Sequence, residues 1–129
     1  MWGRNAKGGV GDGTTVDKSS PVQIGALTTW ESIACGNQWA FGIKTDGTLW
    51  AWGYNQYSGF LGIGTLVNKS SPVQVGGLTT WGAGVLSAGQ GHNASVDSSG
   101  RLWGWGSGFN GQLLNNQSSS GAARSSPSQ

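Results

Sequence analysis

The chain has 129 residues and a net charge of +2, and it holds 25 glycines, 8 tryptophans, seven basic and five acidic side chains. The basic residues are scattered singly, which argues against the clustered basic stripe of a nucleic-acid or anionic-membrane surface. One cysteine forms no internal disulfide or thiolate metal site, and no apolar run reaches the roughly 18 residues of a membrane-spanning helix. Frequent glycine with abundant tryptophan predicts many short strands packed around large apolar side chains.

The sequence pattern of residues 1–29 predicts the trailing half of a repeating unit. Trp2-Gly3 follows directly on Met1, a glycine-rich stretch occupies residues 8–14, and Ser19-Ser20-Pro21-Val22-Gln23 comes next. Each of these strings returns later in the chain, and repetition at a fixed period is the signature of repeat architectures. We therefore expect the sequence to begin inside a repeat.

The sequence pattern predicts one complete repeat over residues 30–80. Leu27-Thr28-Thr29-Trp30 returns 51 residues later, and Ser70-Ser71-Pro72-Val73-Gln74 lies 51 residues after its first copy. Asp46-Gly47 marks the tight turn of a β-hairpin between two apolar runs, and Pro72 is tolerable only at a strand start or edge. The four predicted strands are 33–36, 39–44, 49–52 and 72–75.

Residues 81–129 predict a second repeat that is truncated in its last strand, because only Ser128-Gln129 follow Ser125-Ser126-Pro127. Length differences between the copies locate the loops. Two additional residues lie between Trp81 and Gly89, one lies near Tyr57-Ser58, and three lie between residues 117 and 127. Insertions collect where backbone is exposed, so we expect a loop tip at each place.

Four short strands in about fifty residues predict a β-propeller blade. A single twisted sheet leaves two apolar faces in water, and stacking against the next blade hides them. The predicted fold class is all-β, with blades of four antiparallel strands and about two and a half blades in this chain. The predicted structural repeat core comprises Trp2, Trp30, Trp50, Trp52, Trp81, Trp103, Trp105, Gly36, Gly89, Gly53, Gly106, Pro21 and Pro72. Of these, Trp50, Trp52, Trp103 and Trp105 are expected to be mostly buried between blades.

These strings resemble the regulator of chromosome condensation repeat family over essentially the whole chain. The shared pattern is a glycine after the first strand, an Asp-Gly turn, a Trp-Gly pair, a glycine-rich stretch and Ser-Ser-Pro before a valine. The resemblance implies a seven-bladed ring, as in a nucleotide exchange factor that docks on chromatin, a plant ultraviolet-B photoreceptor and bacterial β-lactamase inhibitors. The low charge and the Leu-Thr-Thr-Trp string resemble those of bacterial and bacteriophage members of the family, which occur in surface and virion proteins.

The sequence predicts no catalytic, cofactor-binding or metal-binding residues. The photoreceptor's Gly-Trp-Arg-His-Thr string does not occur, so the tryptophans are interpreted as blade filler. His92 has no metal-ligating or triad partner in the pattern, and Cys35 is interpreted as a small buried filler. Residues 8–13 lack the Lys-Ser/Thr of a phosphate loop and the acid spacing of a calcium repeat, so they predict turns.

Three functions remain open. The first is a non-catalytic structural and recognition module of a virion, phage or bacterial surface protein. Such a module would bind a host surface receptor. A virion or extracellular location is favoured over a cytoplasmic one. The second is a soluble protein-protein regulator, either a guanine-nucleotide exchange factor or an enzyme inhibitor. An enzyme is disfavoured, because the five acids do not converge on one site. The expected partners are proteins, namely neighbouring blades, a second copy or a parent assembly, since the chain alone is not expected to close a ring. No specific nucleic acid and no membrane insertion are expected.

Overall fold

A computed structural model describes residues 1–26, 28–113 and 123–129 and shows two four-stranded antiparallel sheets, ordered β1-β2-β3-β4 and β5-β6-β7-β8. The described residues contain no helix, and so none that could cross a membrane. The predicted all-β fold with four-stranded antiparallel blades is confirmed. The strands are β1 Trp30–Cys35, β2 Trp39–Lys44, β3 Leu49–Gly53, β4 Lys69–Gln74, β5 Trp81–Ala88, β6 His92–Asp97, β7 Leu102–Gly106 and β8 Arg124–Ser128.

The hairpin of β2 and β3 turns where the sequence predicts. Ile43 pairs with Leu49 at its closed end. Gly47 has a φ of 75°, which a side chain would disfavour, and Asp46 Oδ1 accepts hydrogen bonds from the backbone N–H and hydroxyl of Thr48 at 3.0 and 2.6 Å. The Asp-Gly pair therefore fixes the register of this hairpin.

The fourth strand begins earlier than predicted. β4 starts at Lys69, three residues before Pro72, and it pairs only with β3, at the edge of the sheet. The register is irregular between Ala51 and Gly53, opposite the middle of β4. Proline lacks an N–H, and it fits here because the outer side of an edge strand needs no ladder hydrogen bond.

One predicted loop tip is wrong. The two additional residues between Trp81 and Gly89 lie within β5, which has eight residues where β1 has six. The register shifts irregularly between Trp81, which pairs with Asp97, and Leu86, which pairs with Ser95. A strand can absorb additional residues as a bulge, so the insertion lengthens the strand and produces no loop.

The other two insertions have different outcomes. Tyr57 lies in an exposed turn between β3 and β4, so the loop predicted near Tyr57-Ser58 is confirmed. The insertion predicted between residues 117 and 127 falls largely on residues 114–122, outside the described residues.

The leading segment copies the outer half of a blade. Gly3 pairs with Lys18, as Gly53 pairs with Lys69, and the Val22 N–H donates to the Met1 carbonyl at 2.8 Å. This isolated bridge belongs to a segment that contacts the first sheet, where Trp52 Nε1 donates to the Gly9 carbonyl at 3.1 Å.

The main core lies between the two sheets. β2 and β3 contribute alternate apolar side chains, and the facing sheet contributes two tryptophans of β5 and β7. Phe41 meets Trp105 edge to face, with ring centroids 5.3 Å apart. Burying these rings is the dominant gain from stacking the blades. The buried cluster is Trp39, Phe41, Ile43, Leu49, Ala51, Leu61, Val75, Trp81 and Trp105.

In each sheet, the tryptophan that begins the first strand contacts both tryptophans of the third strand. Trp30 lies 6.4 Å from Trp50 and 5.7 Å from Trp52, measured between ring centroids. The second sheet repeats the arrangement, with Trp81 5.7 Å from Trp103 and 6.2 Å from Trp105.

The tryptophans differ in burial. Trp52 and Trp105 are 1% and 0% exposed, whereas Trp50 and Trp103 are only half-buried. Trp50 lies nearer the surface, where Lys44 Nζ stands 3.7 Å from its ring centroid. Trp2 is 66% exposed.

The interpretation of Cys35 as a buried filler is wrong. Its side chain is exposed on β1. Alternate residues of β1 face opposite sides, and Glu31, Ile33 and Cys35 share the exposed side.

Replacing Trp52 with alanine should lower the free energy of unfolding by about 3–5 kcal/mol, because it empties a buried indole site. Trp2→Ala is the matched control and should change it by less than about 0.5 kcal/mol, because that ring is exposed. Urea unfolding followed by fluorescence measures both. Equal losses in the two variants would contradict the packing described here.

Candidate recognition surface

Two glycine-rich loops follow the Trp-Gly pairs and have the same internal frame. Loop A comprises residues 4–17 and loop B residues 54–68. In loop A, Asn5 is buried, its Oδ1 accepts from the Val10 N–H at 2.9 Å, and its Nδ2 donates to the carbonyls of Thr14 and Val16 at 3.0 and 3.1 Å. One amide side chain thus satisfies three backbone groups inside the loop.

Loop B repeats this arrangement around Asn55. Its Oδ1 accepts from the Leu61 N–H at 2.8 Å, and its Nδ2 donates to the carbonyls of Thr65 and Val67 at 2.7 and 3.2 Å. The corresponding position of the third loop is Gly108, which has no side-chain amide. The asparagine frame is therefore a property of loops A and B.

The loops form the contact between successive repeats. Trp105 Nε1 donates to the Phe60 carbonyl at 3.1 Å, as Trp52 Nε1 does to Gly9. A Cβ on Gly11 would lie 2.5 Å from Trp52 Nε1, and one on Gly62 would lie 2.9 Å from Trp105 Cδ1. Both positions therefore exclude a side chain, which lets the indole of the next repeat lie directly on the loop backbone.

Asn93 joins the two sheets and was missed by sequence analysis. It is 2% exposed, its Oδ1 accepts from Trp39 Nε1 at 2.9 Å, and its Nδ2 donates to the Phe60 carbonyl at 2.8 Å. The matching position of the first repeat is Ala40, so comparison of the copies did not single it out. The available signal was the alternation of Asn93, Ser95 and Asp97 along β6, which places three polar groups on the buried face.

Three aspartates have lowered pKa values because they accept hydrogen bonds inside turns. Hydrogen bonding by the Thr14 hydroxyl, with Lys18 nearby, lowers the pKa of Asp12 well below its usual range, and the Thr48 hydroxyl lowers that of Asp46. Burial would raise the pKa of Asp97, but the hydrogen bonds that it accepts lower it to about 2. These carboxylates organise loops.

The buried Asp97 carboxylate accepts hydrogen bonds from four donors. They are the backbone N–H groups of Ser99 and Arg101, Arg101 Nε at 2.7 Å, and Trp103 Nε1 at 3.1 Å. In the first repeat, Lys44 occupies the matching position and lies over Trp50. At this matching position, a cation is therefore used in the first blade and a carboxylate in the second.

The predicted glycines lie at or just after strand ends, and Pro72 lies in the edge strand β4. A Cβ on Gly36 would lie 2.5 Å from the Trp39 ring, and one on Gly89 would lie 3.1 Å from half-buried His92. Gly53 and Gly106 are buried, with φ values of 107° and 99°. Pro21 is exposed and Pro72 is half-buried. In the part of the chain that the structure describes, no three His, Cys, Asp or Glu side chains could hold a metal ion together.

Several apolar side chains of the loops between third and fourth strands remain exposed. Apolar and aromatic side chains that stay in solvent beside polar loops are typical of protein interaction surfaces. The set comprises Val16, Tyr57, Leu66, Val67 and Phe109.

The family model described as the regulator of chromosome condensation repeat matches residues 1–43 and 46–96, and a second model of the same description matches residues 30–58. The chain belongs to the regulator of chromosome condensation repeat family. The first match runs from the leading segment into β2, and the second runs from the β2–β3 turn into β6, so each matched copy spans parts of two successive blades.

Relatives within the family differ widely in size. The chain is 32% identical over 114 residues to the ultraviolet-B receptor UVR8 of Arabidopsis thaliana, covering 87% of this chain and 26% of the receptor. It is 32% identical over 120 residues to the human E3 ubiquitin-protein ligase HERC2, of which it covers 2%. The chain therefore spans a small part of these relatives.

Solved structures of regulator of chromosome condensation propellers share the fold. Human WBSCR16 superposes with a TM-score of 0.79 at 20% identity, covering 98% of this chain and 31% of that one. Prp20p of Saccharomyces cerevisiae, studied with its binding to Gsp1p and histones, superposes with a TM-score of 0.78 at 21% identity, covering 98% and 32%.

The Asp97 network predicts acid sensitivity. The folded pKa of about 2 lies below the ordinary 3.8, so the unfolded chain binds more protons between these values. The stabilisation is complete above about pH 4 and is lost as the pH falls through about 2. Urea unfolding across this range should show a shallower pH slope in Asp97→Asn than in the parent.

Asp12 and Asp46 should supply the slope that remains in Asp97→Asn. An unchanged slope in Asp97→Asn would show that the network does not hold its proton affinity low.

Proposed function

We propose that this chain is a non-catalytic propeller-repeat module that presents a structural and recognition surface in a virion or bacterial surface protein. The observation that carries the proposal is that the buried and the exposed side chains of loops A and B have different roles. Their buried polar groups hold the loops and join the repeats, while their apolar side chains remain exposed. A rigid scaffold under exposed loops is the usual arrangement of a binding surface.

The chemistry of the described side chains supports recognition over catalysis. A catalytic carboxylate needs a pKa matched to proton transfer near neutral pH, which usually means a raised value. Asp12, Asp46 and Asp97 have lowered values and use their oxygens inside turns. Their hydrogen bonds therefore favour a structural role.

An extracellular or virion setting is supported by how the loops are held. The frame of Asn55 and the indole contacts are neutral hydrogen bonds, and ionic strength weakens neutral contacts much less than exposed ion pairs. In loop A, by contrast, Asn5 also donates to the carboxylates of Asp12 and Asp17, and Asp12 pairs with Lys18. Loop B would therefore keep its shape across the salt conditions that a surface protein meets.

A soluble protein-protein regulator is the second candidate. Its support is that Prp20p was studied with Gsp1p and histones and was solved bound to Kap60. Those partners belong to Prp20p, and an exchange or inhibitor role for this chain would need the exposed loop residues to grip a comparable protein.

Antibodies against the exposed loop B sequence should separate the two candidates. In the source cells or particles, we expect immunogold label on the outside of intact virions or bacteria. Loss of the label after mild external protease, with an internal marker preserved, would support the surface assignment. Label confined to the cytoplasm, together with accelerated nucleotide release from a GTPase, would favour the regulator.

We further propose that protein surface of the same kind covers the face before the first sheet. A cavity of about 290 Å³ lies there between Met1, Ile24, Trp30 and Trp52. The matching place between the sheets is filled by Phe41, Ile43 and Leu49. Apolar side chains from a second copy or a parent assembly would fill this cavity in the same way.

Native mass spectrometry and light scattering on the isolated chain measure this coverage. We expect concentration-dependent oligomers, because burying the apolar lining of this cavity favours association. A stable, cooperatively folded monomer at micromolar concentration would contradict the proposal.

A further inference from the structure

Loop B contains one residue that the fold does not require. Loop A closes its turn with a hydrogen bond from the Gly8 N–H to the Asn5 carbonyl at 2.8 Å and then enters the asparagine frame. Loop B enters the same frame after Tyr57, which has a φ of 71° and is the one non-glycine residue with positive φ among the described residues. Since the shorter loop makes the same frame, packing does not explain an inserted tyrosine in a disfavoured conformation.

The side chain of Tyr57 is 83% exposed, yet it ends an ordered series of aromatic rings. Buried Trp39 stacks on Phe60 with centroids 4.5 Å apart and an interplanar angle of 3°. Phe60 lies 5.8 Å from Tyr54, and Tyr54 lies 6.4 Å from Tyr57. The series therefore connects the core to an exposed ring that is held in place.

A small polar groove adjoins this aromatic series. Lys7 Nζ lies 5.8 Å from the centroid of the Tyr54 ring, and the Tyr54 N–H donates to the Gln38 carbonyl at 2.9 Å. The groove has a volume of about 110 Å³. Its lining comprises Arg4, Ala6, Lys7, Gly9, Asn37 and Gln38.

The two cations of the groove are not neutralised by carboxylates. In the described parts of the chain, the ion pairs join Lys18 to Asp12 and Arg101 to Asp97. Arg4 and Lys7 are exposed on one loop, three residues apart. The groove therefore complements a single negative charge beside an aromatic surface.

We propose that this groove, Arg4, Lys7, Asn37 and Gln38 with the rings of Tyr54 and Tyr57, binds a uronic acid residue of an acidic oligosaccharide. The carboxylate would pair with the two cations, and the hydroxyl groups would bond to the two amide side chains, which both donate and accept. The C–H face of the pyranose ring would lie on a tyrosine ring, whose face is negative.

The groove fits a sugar ring better than an acidic peptide. Stable protein interfaces bury about 800 Å² on each partner around a desolvated anchor pocket, whereas this groove accommodates about one ring. Strand addition is also blocked here, because β2 pairs with β1 on one side and with β3 on the other. The inference concerns a ligand class, so it does not depend on the proposed virion or bacterial surface setting.

Isothermal titration of the full chain with trigalacturonate tests the proposal, with the neutral methyl ester and a tri-glutamate peptide as comparison ligands. We expect trigalacturonate to bind, and the ester and the peptide to bind at least about tenfold more weakly. Raising the salt concentration should weaken binding of the acid.

Variants locate the site. Tyr57→Gly removes the ring and keeps a backbone that tolerates positive φ, and Arg4→Gln with Lys7→Gln removes the charges. Each should lower the affinity at least about tenfold. Leu102→Ala removes an exposed apolar side chain from β7, outside the lining of the groove, and should leave the affinity unchanged. Unfolding curves matching the parent would establish that the variants are folded.

Three results would overturn the proposal. They are no binding of trigalacturonate at millimolar concentration, equal binding by the parent and the folded Tyr57→Gly variant, and tighter binding of the tri-glutamate peptide than of the sugar. The last result would assign the groove to a protein partner.

Discussion

The docking of one indole on the loop backbone of the preceding repeat is the contact on which the structure depends. Trp52 and Trp105 each reach across to a carbonyl at 3.1 Å and lie against a glycine that leaves no room for a side chain. The hydrogen bond satisfies the only polar atom of a large buried ring, so the apolar gain is not offset by an unpaired donor. The asparagine frames matter because they hold those loop carbonyls in place.

The repeat pattern predicted the blades well, because strand order and hairpin register follow from local signals. β2 has the predicted bounds, and its turn lies at Asp46-Gly47. The wrong loop tip came where length alone was the signal. A comparison of spacings counts two additional residues before Gly89 but does not distinguish an exposed loop from a bulge inside β5.

The candidate surface was less predictable, because its residues differ between copies. When the two repeats are aligned, Asn93 matches Ala40, and Tyr57 has no counterpart in loop A. A repeat comparison emphasises what the copies share, which here is the scaffold. Burial of Cys35 was also wrong, because residue type predicts an average exposure and not which side of a strand is covered.

The repeat at residues 30–80 has both halves of the docking contact, the Trp52 indole on one side and the Gly62 loop on the other. Gly11 meets Trp52, and Gly62 meets Trp105, so the contact is head-to-tail and identical copies can follow one another without a new surface. Tandem duplication of the gene segment would therefore add a blade that already fits both neighbours. The number of blades at which such an array closes would depend on the rotation between successive sheets, which the bulk of the side chains between them determines.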